Sequence, residues 1–254
     1  REEFSAYRDE LIISTKAGYD MWPGPYGNWG SRKSLMASLD QSLVRMGLDY
    51  VDVFYSHRYD PETPLEETMQ ALVDIVRQGK ALYVGLSRYP ADKAEEAYRY
   101  LEARDVHCLL YQGRYNLFDR APEEEGILGQ ARAYGVGFIA FSPLAQGLLT
   151  SRYLQGVPED SRMAQGRFLK REVLTEAVLE KIKALDRVAA ERGQTLAEMS
   201  LAWVLKDELV TSVIIGASSV AQLEDNLKAL RKVDFSREEL DRIEAICHTP
   251  DGGQ

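Results

Sequence analysis

This 254-residue chain is short of several things, and each shortage excludes something. Its two cysteines, Cys108 and Cys247, make no disulfide framework and no metal spacing. That scarcity fits a reducing, cytoplasmic setting. It has only three histidines, and no His/Cys/Asp cluster falls at ligand spacing, so no metal centre is expected. No apolar run approaches the ~20 residues of a membrane span. The opening REEFSAYRDE is charged and lacks the apolar stretch of a signal peptide, so neither a membrane nor a leader is expected. Lys and Arg number 31 against 40 Asp and Glu. The resulting net charge of −9 argues against a nucleic-acid partner. No Gly-x-Gly-x-x-Gly follows a strand, which leaves a Rossmann dinucleotide site unsupported. No Gly-x-Ser-x-Gly elbow is present. No Pro/Gly/Ser-rich linker divides the chain, and 45% hydrophobic content suffices for one large core, so one domain over 1–254 is expected.

What the chain does have is six apolar runs, each climbing to a polar residue. LIISTK ends at Lys16, VDVFYSH at His57, ALYVGLS at Ser87, LLYQ at Gln112, GFIAFS at Ser142 and SVIIGAS at Ser218. A helical pattern follows each one. Short apolar strands alternating with helices predict parallel βα units. Polar residues at the C-terminal ends of such strands predict an active-site face.

The helix signals are local. Ser31 is a cap for a stripe of Leu35, Leu39, Leu43 and Met46, with Gly47 as the stop. Thr63-Pro64-Leu65-Glu66 reads as a capping box opening a helix that runs to Arg77. One helix is expected over 123–134. Two more are expected over 173–192 and 196–206, the second with a Thr195/Glu198 box, and a last one from a Ser236/Glu239 box. Ser218 is expected to open a helix over 219–230. Between Leu144 and Glu172 the period breaks, and a loop that long is usually functional.

Lys16 and His57 end consecutive strands, which places them side by side on one face. A lysine beside a histidine over a cavity suits chemistry on a carbon–oxygen group. Each alone could equally be a solvated lysine or a structural histidine. Ser87, Gln112 and Ser142 offer neutral donors and acceptors at the same mouth, or are ordinary loop caps. Ser218 at a helix start, after Gly216, makes an anion site or a plain N-cap. Arg152 and Arg162 in the long loop could clamp a phosphate.

Taken together, STKAG, YSHR, GLSRY, YQGRYN, FSPLAQGLLT and IIGASSVAQLEDN resemble the aldo-keto reductases over nearly the whole chain. STKAGYDMWPGPYG and YSHRYDP look nearest to the bacterial glyceraldehyde 3-phosphate reductase branch, with potassium-channel β subunits as near relatives. The resemblance implies an α/β fold, a (β/α)8 TIM barrel that binds NADP(H) without a Rossmann motif. It implies reduction of a small aldehyde or ketone to the alcohol by hydride transfer. By position, Lys16 matches the lysine that lowers the pKa of a tyrosine acid, and His57 the histidine that orients the carbonyl. Ser87, Arg88 and Gln112 match the holders of the nicotinamide carboxamide, and Phe141 the aromatic stacked on its ring. Ser142, Pro143, Leu144, Gln146 and Gly147 follow the pyrophosphate, wrapped by the loop of Arg152 and Arg162. Gly216, Ser218, Gln222, Asp225 and Asn226 match the adenosine-phosphate end.

Three departures stand out. Asp225 replaces the usual glutamate, and Ser219 stands where this branch tends to carry arginine. Both bear on the choice between NADPH and NADH. The third is at the front: the resemblance makes the six runs strands three to eight of the barrel. The first two βα units, with the catalytic aspartate and tyrosine, are not matched. Tyr19, Tyr26 and Tyr55 could replace that acid, but each reads first as a pocket wall, with Tyr55 one layer deeper than His57. A non-catalytic NADP(H)-binding subunit, in the manner of the channel β subunits, is the alternative to the enzyme. A small carbonyl substrate is the expected partner, and the chain could assemble as a homo-oligomer.

Overall fold

The computed structural model describes residues 4–154 and 171–248. Each apolar run forms a strand: β1 (Ser14–Ala17), β2 (Val51–Ser56), β3 (Ala81–Ser87), β4 (Cys108–Arg114), β5 (Gly137–Phe141) and β6 (Ser212–Ile214). The helices among the described residues are α1 (Arg32–Met46), α2 (Leu65–Arg77), α3 (Ala91–Glu102), α4 (Ala121–Glu124), α5 (Ile127–Ala133), α6 (Glu176–Glu191), α7 (Leu196–Val204), α8 (Val220–Leu227) and α9 (Arg237–Cys247). The chain divides into two compact units, Arg1–Gly113 with Glu125–Phe138, and Arg114–Glu124 with Ile139–Gln254.

In the first unit β1, β2, β3 and β4 pair in sequence order, all parallel. Helices α1, α2 and α3 make the crossovers, as parallel strands require. Val53, Phe54, Val84 and Leu86 on the strands are buried, as are Leu35, Leu39, Leu72 and Ile75 on the helices. Burial of both strand residues and helix stripes is why the runs are apolar throughout rather than alternating. The sheet curls. Lys16 Nζ on β1 donates to Gln112 Oε1 on β4 at 2.6 Å. Three strand spacings in a flat sheet would separate those strands by about 14 Å, more than the two side chains can reach. Tyr55 lies opposite Gly85, where a Cβ would sit 2.4 Å from the tyrosine ring. The missing side chain at Gly85 is what lets that ring fill the inside of the curl.

In the second unit β5 and β6 pair in parallel from Ile139↔Ser212 to Phe141↔Ile214. Its core is helical, built from Ile182, Leu185 and Val188 of α6 and Leu196, Met199 and Trp203 of α7, all buried. No helix among the described residues is long and apolar enough to cross a membrane.

Several local expectations need correction. The box at Thr63 does not form: α2 starts after Pro64, which makes no side-chain cap, and Thr63 Oγ1 instead donates to Asp60 Oδ2 at 2.6 Å. The side chain is held on a buried carboxylate rather than over the helix start. The helix expected over 123–134 breaks into α4 and α5, because Gly126 adopts φ 78°, a left-handed turn. Ser219, not Ser218, caps α8, its side chain accepting from Gln222 N, and α8 gives way to a 3-10 turn at Lys228–Arg231. The boxes at Thr195/Glu198 and Ser236/Glu239 form fully, and Gly47 ends α1 at φ 64°.

Candidate active site

In the first unit the strand ends meet over Tyr55. Strand β2 stops at Ser56, and the His57 amide extends its pairing by one bond, donating to Ala17 O at 2.9 Å. Lys16 pairs in register with Tyr55, so His57 stands just past it on the neighbouring strand. Beneath them Tyr55 is only 2% exposed, and Lys16 Nζ lies 5.8 Å from its ring centroid. Ser87 and Gln112 are in register on β3 and β4 and both are buried. The structure therefore gathers Lys16, His57, Ser87 and Gln112 on one mouth, with Arg88 at its edge.

Electrostatics follow from that packing. Burial, with the Arg88 guanidinium nearby, lowers the pKa of Lys16. His57 is pushed down to about 4, first by burial, then by the positive charges of Lys16, Arg88 and Arg58. Its imidazole is therefore neutral at pH 7, with one N–H to donate. Arg88 sits at φ 52°, a left-handed backbone for a residue with a side chain. Its Nη1 donates to Tyr19 Oη at 2.9 Å.

In the second unit a cavity of about 750 Å³ is lined by Ser142, Pro143, Leu144, Gln146, Gly147, Arg152, Gly216, Ser218 and Gln222, among others. The loop after β5 that forms one wall is strained. Ser142, Ala145 and Gln146 have φ of 54°, 47° and 59°, and Gly147 has 104°. Strain of this kind clusters at ligand clamps. Asn116, to which the sequence reading gave no role, sets the turn: its Nδ2 donates to Ser142 O at 3.0 Å. The two residues are 26 apart, so spacing gave no signal. Arg114 is a second such residue, its guanidinium carbon 5.8 Å from the Phe141 ring centroid. Both line a neighbouring cavity of about 620 Å³ that shares Ser142 and Gln146.

The far end of the predicted cofactor set is less uniform. The Ser218 amide and hydroxyl both donate to Gln222 Oε1, at 2.7 and 2.9 Å. Asp225 pairs with Lys228 at 2.6 Å and does not line the cavity. Asn226 is 7% exposed, and its Nδ2 has no hydrogen-bond partner among the described residues. Asn226 does not line the cavity; the cavity size and the strained, donor-rich loop suit a dinucleotide. Arg162 lies outside the described residues. Among the described residues no group of acidic, histidine or cysteine side chains could hold a metal.

Comparison with known proteins gives the family of the chain. The chain is 55% identical to L-glyceraldehyde 3-phosphate reductase of Escherichia coli O157:H7, over 99% of its own length and 73% of that protein's. It is 37% identical to a probable voltage-gated potassium channel subunit beta of Oryza sativa subsp. japonica, over 95% of the chain and 75% of the relative. The profile of the aldo/keto reductase family matches residues 2–248, and with those strand ends and that identity the chain belongs to the aldo/keto reductase family of oxidoreductases.

Proposed function

We propose that this enzyme reduces a small aldehyde or ketone to the alcohol with NADPH, with glyceraldehyde 3-phosphate or methylglyoxal as the substrate type. The observation that carries the reading is the pair Lys16 and His57 on adjacent strand ends, with His57 held neutral. A neutral imidazole donates a hydrogen bond to a carbonyl oxygen without first giving up its proton. Lys16 adds positive charge where negative charge grows on that oxygen. Its bond to Gln112 Oε1 fixes the ammonium in place. Tyr55 seals the floor and keeps water from below.

When bound, the nicotinamide cofactor supplies the hydride. Ser87, Arg88 and Gln112 of the first unit would hold its carboxamide. Ser142, Pro143, Leu144, Gln146, Gly147, Arg152, Gly216, Ser218 and Gln222 would line the pyrophosphate and adenosine end. Hydride adds to the carbonyl carbon and a proton drawn from water completes the hydroxyl, since Tyr19, Tyr26 and Tyr55 are each otherwise engaged. Tyr55 is sealed under Lys16, Tyr26 is exposed beneath the Lys33 ammonium, and Tyr19 is tied to Arg88. A (β/α)8 barrel is the architecture this reading assumes.

The test is NADPH consumption with glyceraldehyde 3-phosphate and with methylglyoxal. Wild type should turn over at least one of them, and His57→Ala should lose about 10²-fold or more in kcat/KM. NADPH binding without turnover of any aldehyde would instead support a regulatory, channel-β-like subunit.

A further inference from the structure

The loop 18–30 between β1 and α1 is rich in glycine and aromatics, and Arg58 follows the histidine of the site. From sequence, either could select a substrate, with Arg58 as a phosphate binder. The structure separates the two. Arg58 Nε donates to Gly18 O at 2.8 Å, and Nη2 donates to Asn28 Oδ1 at 2.8 Å. The guanidinium carbon lies 3.6 Å from the Trp29 ring centroid and 4.1 Å from that of Tyr19. The cation is thus stacked on two rings and bonded to both ends of one loop. Used this way, it is poorly placed to lie flat against a phosphate.

The loop has ties of its own as well: Met21 N donates to Gly27 O at 2.7 Å, and Arg88 Nη1 donates to Tyr19 Oη at 2.9 Å. Gly18 has φ 140°, and a Cβ there would sit 3.2 Å from His57 Cβ, so the backbone runs tight against the histidine. Trp29 has φ 65°. The far end is tied by Gly30 N donating to Asp60 Oδ2 and Thr68 Oγ1 donating to Gly30 O, both at 2.9 Å. Between these ties stands Tyr19, edge-on to the His57 ring with centroids 4.6 Å apart.

We infer that Arg58 is a positioning residue, fixing the 18–30 loop so that Tyr19 forms a preset wall of the His57 site and limits the size of the carbonyl substrate. This rests on the reading of His57 as the carbonyl-binding group. A planar guanidinium is required, because an ammonium cannot stack on two rings while donating in a fork. Arg58→Lys keeps the charge and loses the plane, and so separates the two contributions.

The first readout needs no activity. The three histidines give few ring signals in NMR, and the His57→Ala variant assigns the one that matters. In wild type His57 should titrate far below the ordinary value. Arg58→Lys should move its titration toward the ordinary value and open Trp29 to acrylamide quenching, with the melting cooperative as in wild type. The second readout is kinetic. Arg58→Lys should lose about tenfold or more in kcat/KM through KM, with NADPH affinity unchanged. Tyr19→Ala should narrow the preference for a small over an aromatic aldehyde about tenfold. If His57 titration, quenching and KM in Arg58→Lys all match wild type, the inference is overturned. If wild type reduces no aldehyde, the proposed function fails instead, and the titration and quenching still decide the role of Arg58.

Discussion

Asp60 shows how a single buried group can hold a site it does not enter. It is 3% exposed, and it accepts from Gly30 N, Glu62 N and Thr63 Oγ1. Burial works to raise its pKa, but those hydrogen bonds outweigh it and hold the carboxyl below its ordinary value. Asp60→Ala would leave several donors without an acceptor and release the end of the 18–30 loop. The expected cost is about 2–4 kcal/mol in urea unfolding, against near zero for an exposed carboxylate such as Asp92. His57 gives a second expectation at this scale. Its folded pKa is depressed to about 4 from 6.5, so its contribution is present above pH 6.5 and lost as the pH falls toward 4. The ring is only half-buried, so the loss is discounted for solvent to roughly 1–2 kcal/mol. His57→Gln should flatten the fall in stability between those pH values. A variant with the wild-type pH slope would show that His57 is not held neutral.

At the scale of elements, the capping boxes sort into those that formed and one that did not. Thr195→Ala and Ser236→Ala remove real caps, and each should cost about 1 kcal/mol by thermal or urea unfolding. Thr63→Ala should also destabilise, but by loosening Asp60, so its effect should largely vanish in an Asp60→Ala background. Additive losses would mean that Thr63 acts on the helix after all. The contrast explains what could be read in advance. Strands were legible because burial makes a run apolar wherever its partner lies. Helix ends were legible where the competing partner was local, as at Ser31, Thr195 and Ser236. Thr63 failed because its partner is a carboxylate buried by tertiary packing. The break at Gly126 failed because a glycine within a helical period does not say whether it will turn. Lys16, His57 and Gln112 stood out as strand ends, since register lines those ends up and the curl of the sheet brings β1 to β4. The work of Arg58 did not, because Gly18 and Asn28 lie 40 and 30 residues away. Gly85→Ala tests the packing that register creates: its Cβ would meet the Tyr55 ring at 2.4 Å. The expected loss is about 1–3 kcal/mol or more, and NADPH turnover should fall with it as Lys16 is displaced.

For the whole molecule, the two units carry different halves of the proposed chemistry, the polar strand ends in one and the dinucleotide-sized cavity in the other. Ligand linkage can therefore be read without turnover. NADPH at 100 times its Kd should add about 2.7 kcal/mol to stability. For a chain of this size that is a rise of about 5–10 °C in Tm. Arg152 and Gln222 line the cavity, so Arg152→Ala and Gln222→Ala should each shrink the rise, read against each variant's own unliganded Tm. The same measurement addresses cofactor choice. Ser219 spends its hydroxyl on capping α8 and brings no guanidinium to a 2′-phosphate. Asp225 is already paired with Lys228. Discrimination between NADPH and NADH should then be modest at equal concentration, and Ser219→Arg should widen it in favour of NADPH by about tenfold in Kd. The gain would come from a charge-assisted contact, so it should weaken as salt is raised. An equal shift for both cofactors in Ser219→Arg would place the 2′-phosphate elsewhere in the cavity.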